Sequence, residues 1–140
     1  MKKSTFSEHI AFISIFGLGL FTLVRGVFWF KEQESVLHDS DFYLALHQIM
    51  PIWVWGIVVA VFALILTCSS WFLPKQQINN VCNYLLLIGG LGTAIMYFVM
   101  LSASIFNAIN WLTWVQFSIL TVVCGLLGFV GGANIYDRRK

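Results

Sequence analysis

QQINNVCNYLLLIGGLGTAIMYFVMLSASIFNAINWLTWVQFSILTVVCGLLGFVGGANIY, residues 76–136, contains no Asp, Glu, Lys or Arg. As one helix it would be roughly 90 Å long at about 1.5 Å per residue, while the hydrocarbon of a bilayer is about 30 Å thick. The stretch must double back. Its turn is written in Phe106-Asn107-Ala108-Ile109-Asn110-Trp111, where two Asn interrupt the apolar run and Asn110 stands where an N-cap is wanted. These residues describe a helical hairpin that crosses a membrane.

The rest of the chain fits that reading. Its 140 residues are 59% hydrophobic and 10% charged, where a soluble domain carries about 25% charged residues. So few charges do not cover a water-facing surface, and lipid becomes the solvent for most of it. The length suits one small domain. A net charge of +2, with the cations at chain ends and in loops, is no footprint for nucleic acid. The three Cys are scattered without CxxC spacing, so neither a zinc site nor a redox motif is read. Met1-Lys2-Lys3 before an apolar run imitates a signal peptide. Residues 10–30 are too long for an h-region and lack a small-residue cleavage site, so no cleavable leader is expected.

Four spans follow, at about 10–30, 52–73, 81–106 and 111–135. Ser7 or Thr5 is placed to cap the first. Phe28, Trp29 and Phe30 close it as an interfacial aromatic belt. Lys31 to Asp41 reads as a polar loop. Residues 42–50 read as a short amphipathic helix capped by Asp39 or Ser40. Phe42, Ala45, Leu46 and Ile49 fall on one face at i, i+3, i+4 and i+7. This helix either rests on the membrane surface or extends the second span, with Pro51 as boundary or kink. Only helices and closed barrels satisfy every backbone group in lipid, and apolar runs of about 20 residues exclude a barrel. The expected fold is therefore all-α and polytopic, four transmembrane helices in an antiparallel bundle. With four crossings, Lys2, Lys3, Lys75, Arg138, Arg139 and Lys140 share one side. Lys31 stands on the other among Glu32, Glu34, Asp39 and Asp41. The excess of cations sets both termini in the cytoplasm. Cys68, Cys82 and Cys124 then face a reducing compartment, which argues against a disulfide.

Candidate functional residues are few. Arg25 is the one formal charge inside a span, near its outer interface, a costly position and a functional candidate by default. It lies six residues before Lys31 and seven before Glu32. It can snorkel to the headgroups, pair with Glu32, or serve as a pore-lining or substrate-binding cation. Gln116 is the one amide well inside the last span. His38, Asp39, Asp41 and His47 lack metal-ligand spacing, and no His lies mid-span to hold haem, so neither metal nor cofactor is expected. No span holds paired carboxylates for a proton relay, and no Ser has a neighbouring His, so no catalytic residue is named and an enzyme is not expected. Gly89 and Gly92 open a flat face on the third span, Gly125, Gly128 and Gly132 on the fourth, and Gly17 and Gly19 on the first. Such faces serve packing within one bundle or an oligomer interface.

The segment Leu46-His47-Gln48-Ile49-Met50-Pro51-Ile52-Trp53-Val54-Trp55-Gly56-Ile57 resembles segments of small uncharacterised multi-span membrane proteins of Gram-positive bacteria and their phages. The resemblance covers about a tenth of the chain. It implies a phage or prophage origin and transfers no site. The function expected is that of a non-enzymatic membrane protein acting through helix contacts: an accessory subunit, regulator, or exclusion or immunity factor. Its partners are the lipid bilayer and either a second copy or another membrane protein. The alternatives are an oligomeric, holin-like pore, and a small-solute transporter subunit using Arg25.

Overall fold

The computed structural model describes residues 6–76, 78–107 and 110–140. Their only regular elements are helices: α1 (Phe6–Lys31), α2 (Gln33–Asp39), α3 (Asp41–Ile49), α4 (Ile52–Trp71), α5 (Val81–Asn107) and α6 (Trp111–Asp137), with one 3-10 turn at Leu73–Lys75. α1, α4, α5 and α6 are each long and apolar enough to cross a membrane. Lys2, Lys3 and Thr5, and the loop residues Gln77, Ala108 and Ile109, lie outside the described residues.

Local chemistry sets the element ends. Asn110 occupies the N-cap of α6 with extended backbone, and its Oδ1 accepts the Leu112 N–H at 3.1 Å. Pro51 precedes α4, where its missing N–H costs nothing, and the preceding Met50 is extended (φ −159°, ψ 143°). The chain therefore breaks at residues 50–51, and α3 is a separate helix rather than an extension of α4.

The Lys31–Asp41 segment, read from sequence as a polar loop, is largely helical. The Glu32 N–H donates to the Phe28 carbonyl at 2.8 Å and the Val36 N–H to the Glu32 carbonyl at 3.0 Å, so the hydrogen-bond ladder passes almost unbroken from α1 into α2. Val36, fully buried, anchors that turn. One apolar contact outweighs the polarity of its neighbours, because burying a Val is worth about 1.5–3 kcal/mol.

The long helices meet along narrow seams. α1 buries Ile15, Gly19, Thr22, Gly26 and Trp29, spaced alternately four and three residues apart. α4 repeats the pattern with Ile52, Gly56, Val59, Ala63, Leu66 and Ser70. α6 does so with Phe117, Cys124, Gly128, Gly131 and Ile135, and half-buried Thr121 fills the gap. A mean repeat of 3.5 is the seam of left-handed helix packing. Residue numbers run in opposite senses across each seam. Gly19 lies against Thr67 and Gly26 against Gly56 and Ala60. Gly89 meets Leu66 and Gly92 meets Phe62. Gly90 meets Gly128 and Gly131 meets Asn83. The glycines are obligatory where the backbones come closest: a Cβ on Gly56 would sit 2.6 Å from the Gly26 carbonyl oxygen, and one on Gly90 2.6 Å from the Gly128 nitrogen.

The order across the molecule is α1, α4, α5, α6, each helix packed along the next. α4 and α5 have 44% of their apolar windows buried inside the molecule, α1 and α6 only 22%. The outer faces of the flanking helices carry Ile10, Ile13, Val122, Phe129 and other exposed apolar side chains. At the end opposite Lys75, α3 tucks Phe42 and Leu46 into a core shared with Trp29, Val36, Ile52, Trp55, Tyr97 and Phe117. The Trp55 Nε1–H donates to the Leu46 carbonyl at 3.1 Å and pins α3 to α4.

Candidate functional site

The two flanking helices, α1 and α6, do not pack along one another. Between them, towards the α2–α3 end, lies a cleft of about 740 Å³, within the usual range of ligand sites. α1 supplies its apolar wall with Gly17, Leu20, Phe21, Val24 and Phe28. α6 supplies Thr113, Gln116 and Phe117, and the α2–α3 end supplies Ser40, Phe42 and Tyr43. Thr113, Gln116 and Phe117 share a face because they stand three and four residues apart on one helix.

Phe117 is the centre of the floor. Its ring stacks on Phe42 at 5.6 Å and leans on Tyr97 at 6.1 Å. Tyr97, fully buried, is held by Thr22 through a 2.8 Å hydrogen bond between hydroxyls. The Thr22 hydroxyl proton is committed to the Leu18 carbonyl at 3.0 Å, so Tyr97 is the donor in that pair. Trp29 meets Tyr43 edge-on at 6.0 Å and closes the upper corner. These aromatic contacts, from α1, α3, α5 and α6, make the floor rigid.

Arg25 lies in this cleft. Its guanidinium carbon is 5.2 Å from the centroid of Phe21 and 5.2 Å from that of Phe117. Phe21 stands one turn back along α1, away from Lys31 and Glu32. Helical side chains lean towards the N-terminus, and for Arg25 that direction is towards the middle of the helix. This is not the geometry of an arginine that snorkels past Lys31 or pairs with Glu32, and among the described residues no carboxylate partners it. Nη1 is buried without a hydrogen-bond partner.

The energies do not close within the chain. An Arg costs about 2.5–3.5 kcal/mol at a span's centre on insertion scales, and less at the position of Arg25, six residues from the end of α1. Two ring contacts return about 0.5–2 kcal/mol each. A buried donor left without an acceptor costs a further 1–3 kcal/mol, and more when charged. The arrangement leaves a cation whose remaining need is an anion.

The other residues singled out from sequence lie elsewhere. Gly89 packs on Leu66, Gly92 on Phe62 and Gly128 on Leu91, all within the chain. Gly132 is 3.3 Å, at its Cβ position, from Leu87, and Gly125 makes only ordinary contact with Ala94. Gly128 and Gly131, three apart, occupy the α6 seam. Gly131 is missed by a search for GxxxG and found by counting fours and threes. Gly17 has open space where a side chain would begin. Of the named candidates, Arg25 and Gln116 are brought into one cleft. Phe117, Tyr97 and Thr22 were invisible as site residues because their role depends on which helices are neighbours.

A second polar cluster marks the opposite end. Asn83, fully buried on α5, accepts at Oδ1 from Gln76 Nε2 (2.8 Å) and Asn134 Nδ2 (3.4 Å), and its Nδ2 donates to Asn80 Oδ1 at 3.3 Å. Arg138 donates to the Gln76 carbonyl and Arg139 to the Tyr84 hydroxyl. His38, Asp39 and Asp41 line a shallow polar depression with Asn107. Among the described residues no three His, Cys, Asp or Glu side chains converge.

No family model matches the chain, and neither a curated protein nor a solved structure matches it at a significant level.

Proposed function

We propose that this is a small non-enzymatic integral membrane protein, a four-span antiparallel bundle in the cell membrane with both termini cytoplasmic. It works by holding another membrane component against its helices, as an accessory subunit, regulator or exclusion factor does. The observation that carries this reading is the α1–α6 cleft with Arg25 inside it. A bundle that only filled its own core would pair its flanking helices, whereas here they stand apart around a cation that no carboxylate among the described residues neutralises. The orientation rests on Lys75, Arg138, Arg139 and Lys140 gathered at one end, and on the acidic residues around α2 at the other.

Less supports an oligomeric pore. Gly89, Gly92 and Gly128 are occupied by contacts inside one chain, and no continuous polar stripe runs along α1 or α6 as a water path requires. The test is expression in a bacterial host with reporter tags at each end and a potential-sensitive dye. Both tags on the cytoplasmic side with the membrane potential intact is the expected result. Tags on opposite faces overturn the topology, and rapid depolarisation overturns the non-pore reading.

A further inference from the structure

We infer that the α1–α6 cleft is a binding site for an anionic membrane phospholipid, its phosphate held by Arg25 and the upper part of one acyl chain lying along α1 towards Gly17. The inference rests on the membrane reading above and deepens it by naming the ligand.

The cleft is graded along its length. The polar lining residues Arg25, Thr113, Gln116 and Ser40 all lie towards the α2–α3 end, among Phe28, Trp29, Phe42 and Tyr43, and Gly17, Leu20 and Phe21 line the other. A head with several acceptor oxygens and an apolar tail matches that order. Arg presents planar, bidentate donors suited to phosphate. Its buried Nη1 has no acceptor among the described residues, and the guanidinium lies over the Phe21 and Phe117 rings inside the cleft. The anion must therefore come to Arg25 from within the membrane plane. The exposure of Leu20, Phe21 and Val24 leaves that lateral route open.

The upper end of the cleft decides against a partner helix: Ser40, Phe42 and Tyr43 line it there, and a helix lying along α1 would have to continue past them. A hydrocarbon chain fits such a groove, and a lipid ends where those residues stand. The open site at Gly17 gives the chain room without disturbing any seam.

The test uses the full chain purified in a neutral detergent, mixed with equimolar phosphatidylglycerol and diacylglycerol of matched chains, the second lacking the phosphate, and read by native mass spectrometry. The wild type should retain one phosphatidylglycerol with a preference of about tenfold, the discrimination expected of one charged hydrogen-bonded contact. Arg25→Gln should abolish the preference. Gly17→Leu should lower retention of both lipids while leaving the unfolding temperature unchanged, and it keeps the inference testable if Arg25→Gln fails to fold. Equal retention of both lipids by the wild type overturns the inference, as does a preference that survives Arg25→Gln. Displacement of phosphatidylglycerol by equimolar oleate overturns the phospholipid in favour of a free acid. A photo-crosslinker at Leu20 that captures protein instead of lipid in cells overturns it in favour of a partner chain. Failure of the topology or depolarisation test does not change these masses, so the two readings fail separately.

Discussion

The two ends of the molecule treat polar groups in opposite ways. At the Lys75 end, Asn83 is fully buried and meets three amide side chains, and beside it Gly131 brings the backbone of α6 onto the Asn83 carbonyl. At the α2–α3 end, Arg25 keeps an orphaned buried nitrogen, and the cleft that holds it runs down α1 to Gly17, which faces open space. Each site has a polar residue and a glycine. One pair is closed by the chain itself, and the other is open. Satisfied polar networks stiffen a fold, while an unsatisfied cation costs stability and persists where it meets something outside the chain.

That contrast can be broken by substitution, with stability read as thermal unfolding of the detergent-solubilised protein. The largest effect is expected at the closed end. Gly131→Leu places a Cβ 2.6 Å from the Asn83 carbonyl oxygen and 2.8 Å from the Leu87 nitrogen, and backbone cannot yield as a side chain does. A loss of about 3 kcal/mol or more is expected, and a wild-type unfolding temperature would show that the seam is looser than described.

Asn83→Leu comes next. It strips Gln76, Asn80 and Asn134 of their shared partner and should cost about 2 kcal/mol. Unchanged stability would make the two ends alike. Smaller again is the Thr22–Tyr97 hydrogen bond. A double-mutant cycle of Thr22→Val and Tyr97→Phe should return a coupling of about 0.6–1 kcal/mol. Zero coupling would mean that the hydroxyls do not tie α1 to α5.

The open end should be nearly silent. Arg25→Met removes a half-buried charge that no carboxylate among the described residues partners, so stability without added lipid should hold or rise slightly. A large loss would mean that Arg25 is structural and that the cleft is part of the core. Gly17→Leu, meeting nothing within 4 Å, should shift unfolding least of all.

Much of this was legible before any coordinates. Asn110 could be assigned as a cap because capping is local: it depends on one side chain and the N–H two residues on. The all-helical character followed from uncharged length. Gln33–Asp39 was misread for the converse reason. Its polarity is local, but Val36 is buried by residues distant in sequence. The GxxxG of Gly128 and Gly132 points to a four-residue spacing, whereas the seam uses Gly128 and Gly131. Which spacing is chosen depends on the supercoil that both helices adopt together.

The sequence by itself determined that this chain is helical and apolar enough in four places to cross a membrane, because hydropathy, length and backbone satisfaction are summed along the chain. It also marked Arg25, since a lone charge among apolar residues is visible at any fold. Only the tertiary structure decided that α1 and α6 stand apart, that Phe117 and Gln116 face Arg25 across the gap, and that no carboxylate among the described residues reaches it. A cleft belongs to the space between helices, and the pairing of helices far apart in the chain is set by small residues at close approach rather than by any local signal.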